Sequence, residues 1–249
     1  MIDLVSVIMP VYNAADTVNQ SIDSVLQQSY SNLELIVVND GSTDDTAMLL
    51  SRYAVNERVK VVNLQRNLGI SNSRNIGVKN SLGRYIAFLD SDDRWDKKKL
   101  ENQLYFMEKN EVSASFGTYR KIRNGRPTAI VTSKHSKYKF NDLLSGNPIG
   151  MLTVILDTKV VLKKWINFPK IDHEDYALWL SLARDHNLTF FRFSTDPLAD
   201  YLVHQSKTSN KVKAAKWTFQ IFYNFLGFGY LKASYYFTKY LISQIERKI

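Results

Sequence analysis

Four short apolar runs, separated by stretches of helix length, constrain this chain more than any other feature. Residues 4–9, 33–38, 59–62 and 85–89 are rich in Val, Ile and Leu and end in polar turns, the pattern of buried strands. Between them, Ile22, Val25 and Leu26 share one face of a helix over about 15–28, and Ser42 or Thr43 is placed to cap a helix reaching Tyr53. A third helix is expected from Ile70 to Asn80, ahead of Gly83, and a fourth over about 97–110, before a strand at 112–117. Strands alternating with helices imply a mainly parallel sheet covered on both faces. Ligands of such sheets bind beyond the carboxyl ends of the strands. Three strands end in Pro10-Val11-Tyr12-Asn13, Asn39-Asp40-Gly41-Ser42 and Asp90-Ser91-Asp92-Asp93, and the alternation puts all three at one rim.

The second half is less regular. Basic and turn residues fill 120–139, with a mobile loop or hairpin expected around Asn124-Gly125. Residues 153–156 read as a buried strand, 175–185 as a helix with Leu178, Trp179 and Leu182 inward, and 187–193 and 198–203 as two more strands. No internal repeat is visible.

Charge is placed unevenly. The net +9 is concentrated at 116–140, with seven Lys/Arg and no acid, and at 211–249, with seven Lys/Arg against Glu246 alone. Outside those blocks the chain is net acidic, so the basicity marks particular anionic surfaces rather than general nucleic-acid binding. No cysteine is present, which excludes disulfides, zinc–thiolate sites and a cysteine nucleophile. The first residues lack a basic leader and no run reaches about 18 apolar residues, so neither a signal peptide nor a membrane span is expected.

The acids at the rim carry the chemistry. Asp90 and Asp92, with Ser91 between them, can hold a hard cation such as Mg2+ or Mn2+ beneath a diphosphate; an acidic turn leading into a helix is the plainer alternative. Asp40 can accept the imide N–H of a uracil, or close an Asx turn. Tyr12 can stack on a base, or simply pack.

The runs 5–13, 35–44, 69–77 and 88–93 together resemble family 2 glycosyltransferases of the GT-A fold, a Rossmann-like nucleotide-binding α/β architecture. The similarity covers 4 to about 110, resumes near 173–206, and points to bacterial enzymes that build capsule, O-antigen or teichuronic-type polysaccharides. The resemblance implies a UDP-sugar donor and a divalent cation. It makes Asp40 the base-recognition carboxylate, Pro10 and Tyr12 the wall of the nucleotide pocket, Arg74 a donor-pocket residue, and Asp90 and Asp92 the metal motif, with Asp92 the direct ligand. Asn147, within Gly146-Asn147-Pro148, resembles the loop approaching the donor sugar. In His173-Glu174-Asp175-Tyr176 it implies that Asp175 is the catalytic base, with Glu174 its competitor; acids at a helix start also simply complement the helix dipole. His204 resembles a late histidine that completes the metal or diphosphate site, although Leu202-Val203 stand where relatives often carry an Arg.

The expected organisation is a catalytic domain over 1–210, with a nucleotide-binding half at 1–115 and an acceptor half at 116–210, followed by a helical segment at 211–249. That last segment is aromatic and basic, with fifteen uncharged residues between Lys216 and Lys232. It suits the inner face of the plasma membrane, or else packs on the catalytic domain or on a second subunit as a homodimer contact. The leading expectation is an inverting glycosyltransferase, peripheral on the cytoplasmic membrane surface, with a glycan or lipid-linked acceptor. The alternatives are a non-catalytic scaffold relative and, lacking any reader motif, a nucleic-acid-binding protein.

Overall fold

The computed structural model describes residues 3–203 and 211–246, with side chains over 212–244 in the last segment. His204, expected at the metal or diphosphate site, lies outside the described residues.

The apolar runs form the strands expected of them: β1 (Val5–Val11), β2 (Leu33–Asn39), β3 (Val59–Asn63) and β4 (Tyr85–Phe88). They lie side by side in the order β3-β2-β1-β4, all parallel. Helices α1 (Val18–Leu26), α2 (Thr46–Tyr53) and α3 (Ile70–Asn80) connect them. Every residue of β1 and all but Glu34 of β2 are buried, because both faces of a parallel sheet are covered. Two apolar layers result, one containing Val7, Met9, Leu35 and Val37, the other Ile8, Ile86 and Phe88.

Helix α2 starts later than its sequence suggests. Neither Ser42 nor Thr43 caps it; both reach across to Asn13, while Asp44 accepts the Thr46 N–H. The 39–45 turn is thereby tied to the end of β1 rather than wound into a helix.

Beyond β4 the sheet turns mixed. Strand β5 (Arg94–Trp95), helix α4 (Lys99–Lys109), strand β6 (Ala114–Arg123) and strand β7 (Arg126–Val131) follow. β6 and β7 form the hairpin expected at Asn124-Gly125, both with positive φ, as a tight two-residue hairpin turn requires. After β8 (Lys137–Tyr138) and α5 (Phe140–Leu143), residues Met151–Thr153 make a single 3-10 turn, so the expected buried strand shrinks to β9 (Ile155–Asp157). β9 runs antiparallel between β4 and β6. Helix α6 (Glu174–Asp185) buries Leu178, Trp179 and Leu182 as expected. The two expected late strands are one, β10 (Phe190–Leu202), whose register against β6 shifts around Pro197.

The carboxy-terminal residues form α7 (Lys211–Gln220), a π-turn at Ile221–Phe225 and α8 (Tyr230–Glu246). Ile221, Phe222, Leu226, Phe228 and Ala233 join the core cluster of α6 and β10. One face of this segment therefore packs on the α/β body. Among the described residues, no helix is long and apolar enough to cross a membrane.

Candidate active site

The ends of β1, β2 and β4 open into one cleft of about 670 Å³, a size suited to a small-molecule ligand. Pro10, Tyr12, Asp40, Asp90, Ser91 and Asp92 all line it. The rim inferred from strand alternation thus brings together six of the eleven expected site residues. Asp16, Thr17 and Asn67, in loops, and Ser73, on α3, line it as well; isolated polar residues of this kind carry no periodic signal in a sequence.

Asp40 is buried, and its carboxylate accepts the N–H of Leu68 at 2.7 Å and of Gly69 at 2.9 Å. It clamps the loop that leads into α3. A carboxylate offers about four acceptor positions, so this clamp leaves capacity for a ligand N–H. The turn-closing role weighed as the alternative for Asp40 falls instead to Asn39, whose side chain accepts the N–H of Ser42, three residues on. Gly41, at φ +68, lets this turn lie against the backbone of Arg66, where a Cβ would come within 2.6 Å.

Arg74 sits beneath the cleft rather than in its wall. It is 3% exposed, and its guanidinium joins Asp90 Oδ1 at 2.7 Å to Glu174 Oε1, residues far apart in sequence. Burial pulls its pKa down, but Asp90 and Glu174 outweigh burial and hold it above the ordinary value. Glu174 is raised by burial, opposed by Arg74 and reinforced by Asp175. Asp175 is held differently: Asn147 Nδ2 donates to its Oδ2 at 3.1 Å. The amide expected near the donor sugar thus orients the neighbouring acid. His173, in the left-handed backbone region at φ +57, turns the chain so that both acids fall in the first turn of α6.

Asp93, which sequence reasoning left without a role, is buried and accepts the Leu202 N–H at 3.0 Å. Its pKa is raised well above the usual carboxylate range, first by burial and then by Asp90 and Asp92. Tyr201 is pushed up to about 12 by burial and the same three acids. Such a concentration of acids, with Arg74 paired to Asp90 and Glu174, fits a hard cation chemically. The donors are all oxygen, and no group of three or more His, Asp or Glu side chains forms a protein-only cage among the described residues. One or two carboxylates completed by water and substrate phosphates are how Mg2+-like ions are commonly held.

A parallel nucleotide-binding sheet with acids gathered at its strand ends, extended by the mixed strands β9, β6 and β10, is the GT-A architecture of nucleotide-sugar transferases. Residues 6–165 match the sequence profile of glycosyl transferase family 2, and the chain belongs to that family. It is 38% identical over 250 residues to TuaG of Bacillus subtilis (strain 168), named for teichuronic acid biosynthesis, covering 99% of this chain and 98% of the relative. It is 37% identical over 244 residues to WfgD of Escherichia coli, a UDP-Glc:alpha-D-GlcNAc-diphosphoundecaprenol beta-1,3-glucosyltransferase, covering 98% of this chain and 94% of that one. Among solved structures, S. aureus TarS 1-349 in complex with UDP-GlcNAc superposes with a TM-score of 0.72 at 20% identity, covering 95% of this chain and 71% of TarS. The mannosyltransferase PcManGT of Pyrobaculum calidifontis, in complex with GDP-Man and Mn2+, gives 0.68 at 19% identity, covering 94% and 69%. At such identities these two likenesses speak for the fold.

Proposed function

We propose that this glycosyltransferase moves a sugar from a UDP-sugar to a hydroxyl of a lipid-linked glycan, with inversion at the anomeric carbon and with help from Mn2+ or Mg2+. The observation that carries this reading is the single cleft shared by Tyr12, Asp40, Asp90 and Asp92 and linked through Arg74 to the start of α6. Tyr12 and Pro10 flank the base, and Asp40 accepts its imide N–H. Asp90 and Asp92 would hold the cation, which neutralises charge developing on the departing diphosphate.

Asp175 is the general base in this scheme. Glu174 is committed to Arg74, whereas Asp175 keeps carboxylate capacity beside the Asn147 amide and can take the acceptor proton as the oxygen attacks. Attack from the side opposite the diphosphate inverts the sugar. WfgD acts, by name, on a diphosphoundecaprenol acceptor, which favours a lipid-linked acceptor and a position at the cytoplasmic face of the membrane. The halves 1–115 and 116–210 would then serve donor and acceptor respectively.

The reading is tested by melting the protein with UDP and Mn2+, separately and together. Metal-dependent stabilisation of about 2.7 kcal/mol is expected at a hundredfold excess over the dissociation constant. Asp92→Ala should abolish the metal-dependent part. Equal UDP stabilisation of both proteins with Mn2+ present removes the cation from this site, and a panel of UDP-sugars scored for hydrolysis identifies the donor.

A further inference from the structure

The carboxy-terminal helices carry apolar residues on two sides, and packing on the catalytic body uses one of them. The inner side holds Phe222 of the π-turn, Phe228 of the link that follows and Ala233 of α8 in the core. On α8 a second stripe points away. Leu231, Tyr235, Thr238 and Ile242 recur at the spacing of one helix face, and Leu231 is 85%, Tyr235 55% and Ile242 52% exposed. Exposed Tyr230 and Leu241 widen it.

The charges that this segment itself carries from 211 to 245 have one sign, since no Asp or Glu occurs there, and Lys232 and Lys239, on α8 beside the stripe, are exposed. Lys232 lies 4.2 Å from the Phe228 ring centroid and Lys239 4.8 Å from that of Tyr235, so cations and rings occupy the same level of the helix. A second copy of this face would set lysines against lysines. Apolar side chains, tyrosines and lysines on one exposed face match the boundary between acyl chains and anionic headgroups.

We propose that the outward face of α8, with the lysines around it, docks on an anionic lipid bilayer. The inner contacts then fix what faces that bilayer. Ser243 Oγ donates to the Ser145 carbonyl at 2.5 Å, and Tyr240, Ser243 and Gln244 close over Gly146. The Trp217 ring lies tilted against that of His173, with centroids 5.2 Å apart. The docked helices thus hold the Gly146-Asn147 loop and the start of α6, the two segments that carry Asn147 and Asp175. Docking turns the acceptor side of the cleft toward the membrane. Its purpose rests on the lipid-linked acceptor proposed above, but its measurement does not.

The test is co-sedimentation of the full chain with phosphatidylcholine vesicles, with and without phosphatidylglycerol. Binding is expected with the anionic lipid and weak without it. Leu231→Ser with Ile242→Ser should weaken binding about tenfold or more, and Lys232→Gln with Lys239→Gln should weaken it only for anionic vesicles. Both double variants should keep the parent melting temperature and metal-dependent UDP-sugar hydrolysis, since the altered residues are exposed. Absence of binding, equal binding by parent and variants, or a dimer that the Leu231/Ile242 variant converts to monomer overturns the proposal. Vesicle binding without sugar transfer sinks the functional reading and leaves the docking surface intact; transfer without vesicle binding does the reverse.

Discussion

At the scale of single residues, two adjacent acids have been given different work by their neighbours. Glu174 is paired with a buried guanidinium and Asp175 with a neutral amide, so their removal should have different consequences. Asp175→Asn is expected to leave UDP affinity and melting temperature near the parent and to lower kcat by about 100- to 10,000-fold. Glu174→Gln leaves Arg74 with Asp90 alone and should cost about 3 kcal/mol or more of stability, read as a lower melting temperature with a smaller loss of kcat. A normal kcat for Asp175→Asn would move the base elsewhere. Sequence alone could not divide the two, because both sit in a first helical turn and only the partner brought from α3 tells them apart.

Lys99 presents a second case at this scale. It is fully buried, its Nζ has no hydrogen-bond partner among the described residues, and it lies 4.0 Å from the Trp95 ring centroid. Burial holds its pKa well below the ordinary value. The folded chain therefore binds fewer protons there than the unfolded chain at any pH between the depressed pKa and the ordinary lysine value near 10. Stability at this site must rise as pH increases through that window and fall as pH decreases. Lys99→Met is expected to melt higher than the parent at neutral pH, with a gap that narrows toward pH 10. A gap that widens with pH would contradict the sign.

At the scale of elements, α3 shows how closely helix and sheet must approach for Arg74 to reach under the cleft. Gly77 packs on Ile8 of β1, where a Cβ would come within 2.4 Å of the Ile8 Cγ2. Gly77→Ala should force the two apart, costing about 1–3 kcal/mol, and should reduce turnover because Arg74 rides on the same helix. Circular dichroism melts and donor hydrolysis measured together check this. The bounds of α3 were legible because a glycine stands before it and a polar turn with Gly83 follows. β10 was not: Ser194-Thr195-Asp196-Pro197 has the composition of a turn, yet the strand absorbs Pro197 at a register shift against Thr118. Bulges of this kind depend on the partner strand, which sequence order does not reveal.

At the scale of the whole molecule, the carboxy-terminal segment belongs to the fold. Ile221, Phe222, Leu226 and Phe228 are buried against the α6 layer, and burial is worth about 1.5–3 kcal/mol for each large apolar side chain. Their sum rivals the 5–15 kcal/mol that typically holds a domain together. A chain ending at residue 210 is therefore expected to lose its cooperative melt and to aggregate; a soluble truncation with an unchanged melting temperature would show that the helices merely rest on the surface. Sequence gave the aromatic and basic character of this segment but not the side that faces inward, since apolar residues occur on both. The strand-end rim, by contrast, was legible in the sequence, because chain alternation alone determines which ends of parallel strands meet.

One feature of the sheet bears on how the molecule is made. β9, at Ile155–Asp157, lies between β4 and β6, and Arg84 at the start of β4 is anchored to Asp157 through 2.7 Å and 3.1 Å contacts. During translation, the residues up to β4 therefore emerge with its edge bare until the ribosome has added the chain through residue 157. Unpaired strand edges invite wrong partners. The vulnerable period in the life of this enzyme comes before its synthesis is complete.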